Sequence, residues 1–332
     1  MEMFKRRRAL LGVDLGGSAV KLLALRRHGD RYRLTHCASC PLPDGAMREK
    51  AILATGEIAA QLRTLLVSRP DLPRRCALAV PGSSVISRLV ALDATLSEPE
   101  LLAQVELEAQ QHVPYPREDI LLDCVPRPDA ACDPGQRMVL LAACRRDQVE
   151  GRLAALREAG ATVAAVDGEA WAMERAFALL CRQGALQAAG VTAIVDCGAQ
   201  TCTVHVLREG RSFYCREHAS SAARLSRDTA RSQALDTVRE ALAEQVERAL
   251  RLFFAYGEYH QVDRIVLAGG GATVPELAPQ VAQRLAVPVV LADPFAALRL
   301  DAMPEAEVAT LRQQAPAWML ACGLALHGAC DD

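Results

Sequence analysis

Ala9-Leu10-Leu11-Gly12-Val13 runs into Asp14-Leu15-Gly16-Gly17-Ser18-Ala19-Val20-Lys21: an apolar run that ends on an aspartate, empties into small residues and then turns apolar again. The pattern returns 182 residues on, where Val191-Thr192-Ala193-Ile194-Val195 runs into Asp196-Cys197-Gly198-Ala199-Gln200-Thr201-Cys202-Thr203. In each copy the second apolar run, Val20 to Leu25 or Val204 to Leu207, is closed by a polar turn with glycine, His28-Gly29-Asp30 or Arg208-Glu209-Gly210. A third strand-like segment follows, so both copies read as antiparallel meanders. A dinucleotide-binding loop needs a strand followed by a helix and the spacing G-x-G-x-x-G, which neither copy has. The duplication therefore predicts two similar lobes facing one another across a cleft.

Working outward, each meander is followed by helix. Ile58, Leu62, Leu65 and Leu66 share one face in the first half. Leu235, Val238, Leu242, Val246, Leu250 and Phe253 mark a long amphipathic helix in the second. Strand-like segments recur at Cys76 to Val80, Val163 to Asp167 and Arg264 to Ala268, so both lobes mix sheet and helix. Between Val85 and Arg146 the first half carries extra material. Ser97-Glu98-Pro99-Glu100 has capping-box spacing, Leu101, Val105 and Ala109 continue a helix as far as Pro114-Tyr115-Pro116, and strands are expected at Ile120 to Val125 and Met138 to Cys144. This reads as an inserted small α+β subdomain. Ala315 to Leu326 is apolar nearly all round, begins with a proline in its first turn, and is expected to be a buried helix.

The expected organisation is lobe I over 1–84, the inserted subdomain over 85–150, the end of lobe I with a helix over 151–175, lobe II over 176–314 and a C-terminal helix over 315–332. A chain of 332 residues, 51% hydrophobic and 23% charged, has enough material for two cores and too little polarity for extended disorder. With 38 Lys and Arg against 40 Asp and Glu there is no overall field to draw it onto nucleic acid or an anionic bilayer. The basic run Lys5 to Arg8 precedes an apolar stretch broken at once by Asp14, so it does not read as a secretory signal, and nothing is long enough to span a membrane. The expected location is the cytoplasm, or the cytosolic face of a membrane. The 12 cysteines are scattered in the manner of reduced thiols; Cys37 and Cys40 form one close pair with no second pair to complete a zinc ribbon.

Two facing turns rich in small residues can hold a phosphate chain from both sides, because backbone amides beside glycine approach phosphate oxygens unobstructed. That makes Gly16, Gly17 and Ser18 candidates on one side and Gly198, Ala199, Gln200 and Thr201 on the other, with Lys21 as a point charge. Asp14 and Asp196, at the ends of buried strands, would hold Mg²⁺ through waters. Gly269, Gly270 and Gly271, where the strand from Ile265 empties before a helix near Pro275, would let backbone approach the nucleoside side.

The set Asp14 to Lys21, Asp196 to Thr203 and Leu267 to Ala272 resembles the first phosphate, second phosphate and adenosine motifs of the actin-like ATPase superfamily. More narrowly, Glu106 to Pro116, Leu140 to Arg145, Val166 to Phe177, Arg251 to Ala255, Asp293-Pro-Phe295 and Ala321 to Ala325 resemble the PilM family of type IV pilus assembly, FtsA-like members of that superfamily. The likeness covers essentially the whole chain. It implies an α/β fold of two duplicated ribonuclease H-like lobes, with ATP and Mg²⁺ as cofactors, and it implies that the helices of 151–175 and 315–332 are the segments connecting the lobes. It also implies an adaptor that takes up the cytosolic N-terminal tail of the membrane protein PilN beside the Ser97 to Pro116 helix. Communication with the pilus motor ATPases, peripheral placement on the inner membrane through partners and a part in twitching motility go with it; nucleic acid does not, and self-association is left open. The connecting-segment acid would be Glu169, placed where relatives position water, although Glu169 or Asp167 could equally cap the helix that starts there.

The chain departs from the family between the meander and the long helix. Only Ser220 to Leu235 stands where a fourth subdomain would clasp adenine, and Ser221-Ala222 replaces a Gly-Gly. Any hydrolysis is therefore expected to be slow. Three other readings compete: a nucleotide-free scaffold of the same machine, a small-molecule kinase sharing the fold, and an FtsA-like filament protein.

Overall fold

The computed structural model describes residues 10–127, 131–182, 184, 186–220, 231–257, 259–296, 298–301 and 303–327. Ser221-Ala222 and most of the shortened fourth subdomain lie outside the described residues, as do residues 328–332.

The first half is built on β1 (Leu11–Leu15), whose first four residues are buried, the burial expected of a strand covered on both faces. β2 (Ala19–His28) and β3 (Arg31–Pro41) complete an antiparallel meander from it. β4 (Met47–Arg48) and β5 (Ala51–Ile52) form a short separate ribbon. After α1 (Thr55–Ser68), β6 (Arg75–Val80) runs parallel to β1 on its other side. The insertion then supplies β7 (Val85–Asp93), α2 (Glu98–His112), β8 (Ile120–Pro126) and β9 (Gln136–Arg145). Its sheet has the order β7-β9-β8, with Leu101, Val105 and Ala109 of α2 buried against Val139 and Leu141. The capping box forms as expected, the Ser97 amide donating to Glu100 Oε2 at 2.9 Å. α3 (Arg146–Glu158) and β10 (Thr162–Gly168) return the chain to β6, and α4 (Glu169–Arg182) leaves for the second half.

There β11 (Val191–Cys197), β12 (Thr201–Arg208) and β13 (Arg211–Ala219) repeat the meander. α5 (Arg231–Tyr256), β14 (Arg264–Ala268), α6 (Leu277–Leu285) and β15 (Val289–Leu291) follow. The sheet orders are β10-β6-β1-β2-β3-β16 and β15-β14-β11-β12-β13, so apart from the edge strand β16 (Leu298–Arg299) the two lobes have one topology. α7 (Glu305–Gln313) and α8 (Met319–Leu326) end the described chain.

Three details differ from the sequence expectation. The span 176–314 does not stay in lobe II, because Leu298 and Arg299 pair with Tyr32 and Arg33 of lobe I. The reversal that allows this is fixed by Asp293 Oδ1, which accepts from the amides of Phe295 and Ala296 at 3.0 Å each, while Phe295 itself is fully buried. Leu235 is 50% exposed, because α5 meets its sheet only from Val238 on and is fully packed from Leu242. The helix after the triple glycine starts at Leu277, beyond a short 3₁₀ turn over Gly270–Thr273.

The layer between the lobes is made by α4 and α8, whose apolar residues form one core with residues of β2, β6, β11 and β14. All eight residues of α8 are buried, which accounts for its lack of a polar face. α8 meets α4 and β1 at points where only glycine fits. A Cβ on Gly323 would overlap the Ala172 carbonyl of α4, and one on Gly12 would stand 2.6 Å from the Ala325 nitrogen.

Candidate functional site

The β1–β2 and β11–β12 hairpins close in the same way. The Gly16 amide donates to the Ala19 carbonyl at 3.0 Å, and the Gly198 amide to that of Thr201 at 2.8 Å. Because the duplicated lobes face each other, the turns oppose across a cavity of about 410 Å³. Its lining includes Asp14, Gly16, Gly17, Ser18 and Lys21 from lobe I, Glu169 from α4, and Asp196, Gly198, Ala199, Gln200, Thr201, Gly269, Gly270 and Gly271 from lobe II. The sequence thus singled out residues far apart in the chain that the fold brings to one place. Val238, Leu242, Val274, Ala317 and Leu320 add an apolar wall the sequence did not assign.

The carboxylates differ in their surroundings. Asp14 faces Lys21 across the β1–β2 pair, and the ammonium donates to Asp14 Oδ2 at 3.2 Å. Burial pushes the Asp196 carboxyl up to about 6, with Lys50 opposing and Asp14 and Glu169 adding to the rise. Gly269, with φ of 83°, brings its backbone so close that a Cβ would strike Asp196 and the Cys197 carbonyl, so the third glycine segment packs onto the second hairpin. A Cβ on Gly270 would meet nothing within 4 Å, and this is the open stretch of backbone on that side. Asp167 does not face the cavity chemistry; it ion-pairs with Arg175 and accepts from the Gly168 amide at 2.8 Å.

The Gln200 side chain turns to lobe I, leaving the backbone of the turn to face the cavity. Its carboxamide donates to the carbonyls of Gly17 at 3.2 Å and Met47 at 3.1 Å and accepts from the Glu49 amide at 3.0 Å, joining the second hairpin to lobe I.

Sequence reasoning missed Lys50. It sits at the tip of the β4–β5 ribbon, where Glu49 and Lys50 have φ of 46° and 64°, and donates to Glu169 Oε2 at 2.5 Å and Thr203 Oγ1 at 3.1 Å. Glu217 lies 3.7 Å away. Burial alone would pull the Lys50 ammonium down, but Glu169, Asp196 and Glu217 more than offset it and hold it above the ordinary lysine value. Burial raises the Glu217 carboxyl, with Lys50 opposing. The buried Arg152 donates to the Lys50 carbonyl at 2.6 Å and the Gln148 carbonyl at 2.8 Å, clamping the ribbon tip from below. Two-residue hairpin turns with positive φ are normally signalled by Asn-Gly or Asp-Gly, and Glu49-Lys50 gives no such signal.

A nucleotide fits these residues: the cavity lies within the roughly 300–1,000 Å³ of ligand pockets and offers Cβ-free backbone on three sides. Mg²⁺ fits less well. Among the described residues no group of three or more His, Cys, Asp or Glu could hold a metal ion, and Asp14, Glu169 and Glu217 already face ammonium groups. A directly caged ion is therefore unsupported. Contact through water, with phosphate oxygens as the other ligands, is the form the residues leave open.

The repeated sheet order, the opposed hairpins and the crossing helices define an actin-like two-lobed fold. A family model described as type IV pilus assembly protein PilM matches residues 12–237 and 225–329, and the chain belongs to that family. Among solved structures it is similar to that of a PilM-PilN type IV pilus biogenesis complex, with 25% identity and a TM-score of 0.78, covering 98% of this chain and 100% of the other. The ethanolamine utilization protein EutJ from Carboxydothermus hydrogenoformans shares the fold at 13% identity and a TM-score of 0.57, over 96% of this chain and 89% of that one. No helix among the described residues is long and apolar enough to cross a membrane.

Proposed function

We propose that the chain is a nucleotide-binding adaptor of the type IV pilus assembly platform, held at the cytosolic face of the inner membrane by the N-terminal tail of PilN and coupled to the pilus motor ATPases. The observation that carries the nucleotide half is the convergence of two aspartate-tipped hairpins and a triple glycine on one cavity. In this reading Gly16, Gly17, Ser18, Gly198, Ala199 and Thr201 hold the phosphates with Lys21, and Gly269 to Gly271 and the Val238–Leu242 wall take the nucleoside. ATP brings polyphosphate charge, and a Mg²⁺ carried on it would meet Asp14 and Asp196 through water. Glu169 is the acid available to orient water. Its pairing with Lys50 at 2.5 Å leaves it poorly placed to act as a base, which supports slow or absent hydrolysis.

Family membership and the relative solved with PilN support the partner half. The inserted subdomain offers exposed apolar side chains for an extended tail on α2, at Leu102 and Leu107, and on the sheet face away from α2, where Leu89 and Val125 flank Leu140 in register. The Gln200 and Lys50 contacts that already join the lobes favour a second reading, a scaffold that works without nucleotide. Calorimetric titration with ATP and Mg²⁺ decides between them. Heat that disappears in Asp14→Ala and in Asp196→Ala supports the first reading, and no binding near millimolar ATP leaves the second. A synthetic PilN tail should bind the isolated chain, and a strain deleted for it should make no surface pili; normal pili would end the assignment.

A further inference from the structure

The two lobes carry matching rows of side chains across their meanders. In lobe I the row is Asp14–Lys21–Ser39, and in lobe II it is Asp196–Thr203–Glu217. The first row balances itself, one carboxylate against one ammonium at 3.2 Å. The second has two carboxylates and no cation, and Glu169 arrives from α4 as a third acid. Thr203 stands where its counterpart is Lys21. Lys50 from the opposite lobe fills that gap, bonded to Thr203 at 3.1 Å and Glu169 at 2.5 Å and lying 3.7 Å from Glu217. The ribbon tip that delivers it sits in left-handed backbone at two residues with side chains, an arrangement that costs energy and persists only where its surroundings hold it. Arg152 and Gln200 are those surroundings.

We propose that Lys50 is the resident cation of the lobe II acidic row, placed there as Lys21 is placed beside Asp14. Each half of the cleft then presents one lysine to an entering polyphosphate, and the acidic row holds a cation of the chain's own, one ammonium shared among Glu169, Asp196 and Glu217, where no divalent ion is needed to separate the carboxylates. The second consequence stands on the contacts of Lys50 alone, whereas the first rests on the reading of the cavity as a nucleotide site.

The test uses the full chain and the left-handed turn itself. Lys50→Gly and Glu49→Gly both relax the turn, since glycine accepts positive φ freely, but only the first removes the cation. Thermal melting in EDTA should rise for Glu49→Gly and fall for Lys50→Gly by at least about 5 °C, the cost of leaving buried carboxylates uncompensated. Added MgCl₂ should restore much of the loss in Lys50→Gly and leave the unsubstituted chain unchanged. A Lys50→Gly chain that melts as high as Glu49→Gly, or an unsubstituted chain that Mg²⁺ stabilises as strongly as Lys50→Gly, overturns the proposal. If Lys50→Gly does not fold, Lys50→Gly/Glu169→Gln should fold, and failure of that double variant counts against charge as the cause. Inorganic tripolyphosphate in EDTA reads the ligand half: Lys50→Arg should bind within about threefold of the unsubstituted chain and Lys50→Met at least about tenfold more weakly. Equal affinity for all three removes Lys50 from the phosphate site. No binding even by the unsubstituted chain counts against the nucleotide reading, while the melting results still decide the charge role.

Discussion

His205 is fully buried in β12, and both its ring nitrogens lack a hydrogen-bond partner. Burial, with the Lys50 charge adding to it, pulls the imidazole down from 6.5 to about 3. The folded protein thus keeps it neutral while the unfolded chain takes a proton as pH falls through 6.5, so the unfolded state binds more protons and stability is lost on acidification. One group contributes about 1.4 kcal/mol per pH unit in that window, so between about pH 7.5 and pH 5 the loss traceable to His205 is about 2 kcal/mol. His205→Leu removes this term and the orphaned nitrogens together. Urea unfolding of both proteins at the two pH values separates it from the other titrating groups, because only the difference between the proteins matters. The gap in stability should widen in favour of the variant by about 2 kcal/mol at the lower pH. A gap that stays constant would mean that the imidazole is protonated in place, or reaches water, and the account of the interlobe layer would be wrong.

Further outcomes follow from other contacts. Gln200→Ala removes three hydrogen bonds between lobes, each worth about 0.5–1.5 kcal/mol net, so exchange of the Glu49 amide should accelerate by at least roughly tenfold; an unaltered rate would show that the carboxamide does not hold the lobes. Gly323→Val drives a side chain into the Ala172 carbonyl and should cost more than about 3 kcal/mol, read as a lost urea midpoint, with little relief from shrinking it to alanine. Leu102→Ser/Leu107→Ser and Leu89→Ser/Val125→Ser alter exposed positions and should leave melting within about 2 °C. Whichever pair weakens binding of a PilN tail peptide marks the face that carries it, and no effect from either would remove the inserted subdomain from partner binding.

The duplicated frame was legible because its signal is repeated: the aspartate, the small-residue turn and the flanking apolar runs occur twice, and the same closure recurs at Gly16 and Gly198. Helices with one apolar stripe, such as that of Leu101, Val105 and Ala109, also read directly. What escaped the sequence is what depends on the far side of the molecule. Lys50 has no partner within its own segment; Glu169, Thr203 and Glu217 come to it only when the lobes meet. Gln200 reads as a phosphate ligand because it stands in a small-residue turn, and the lobe I backbone that occupies its side chain lies 183 residues away at Gly17. The two-residue strand at Leu298 is too short to show a period, and it joins lobe I because Phe295 is drawn into the layer between the lobes.

At Gly323 the main chain of α8 meets that of α4, and at Gly12 the main chain of β1 meets that of α8, with no side chains between them. Neither helix can slide there without driving backbone into backbone, so the contact behaves as an axle. Opening of the cleft is then a swing about that point, and the inserted sheet, with a core of its own apart from the layer between the lobes, is carried by it as one piece. A change in how the hairpins sit around their guest would reach a partner on that sheet as a displacement of the whole surface.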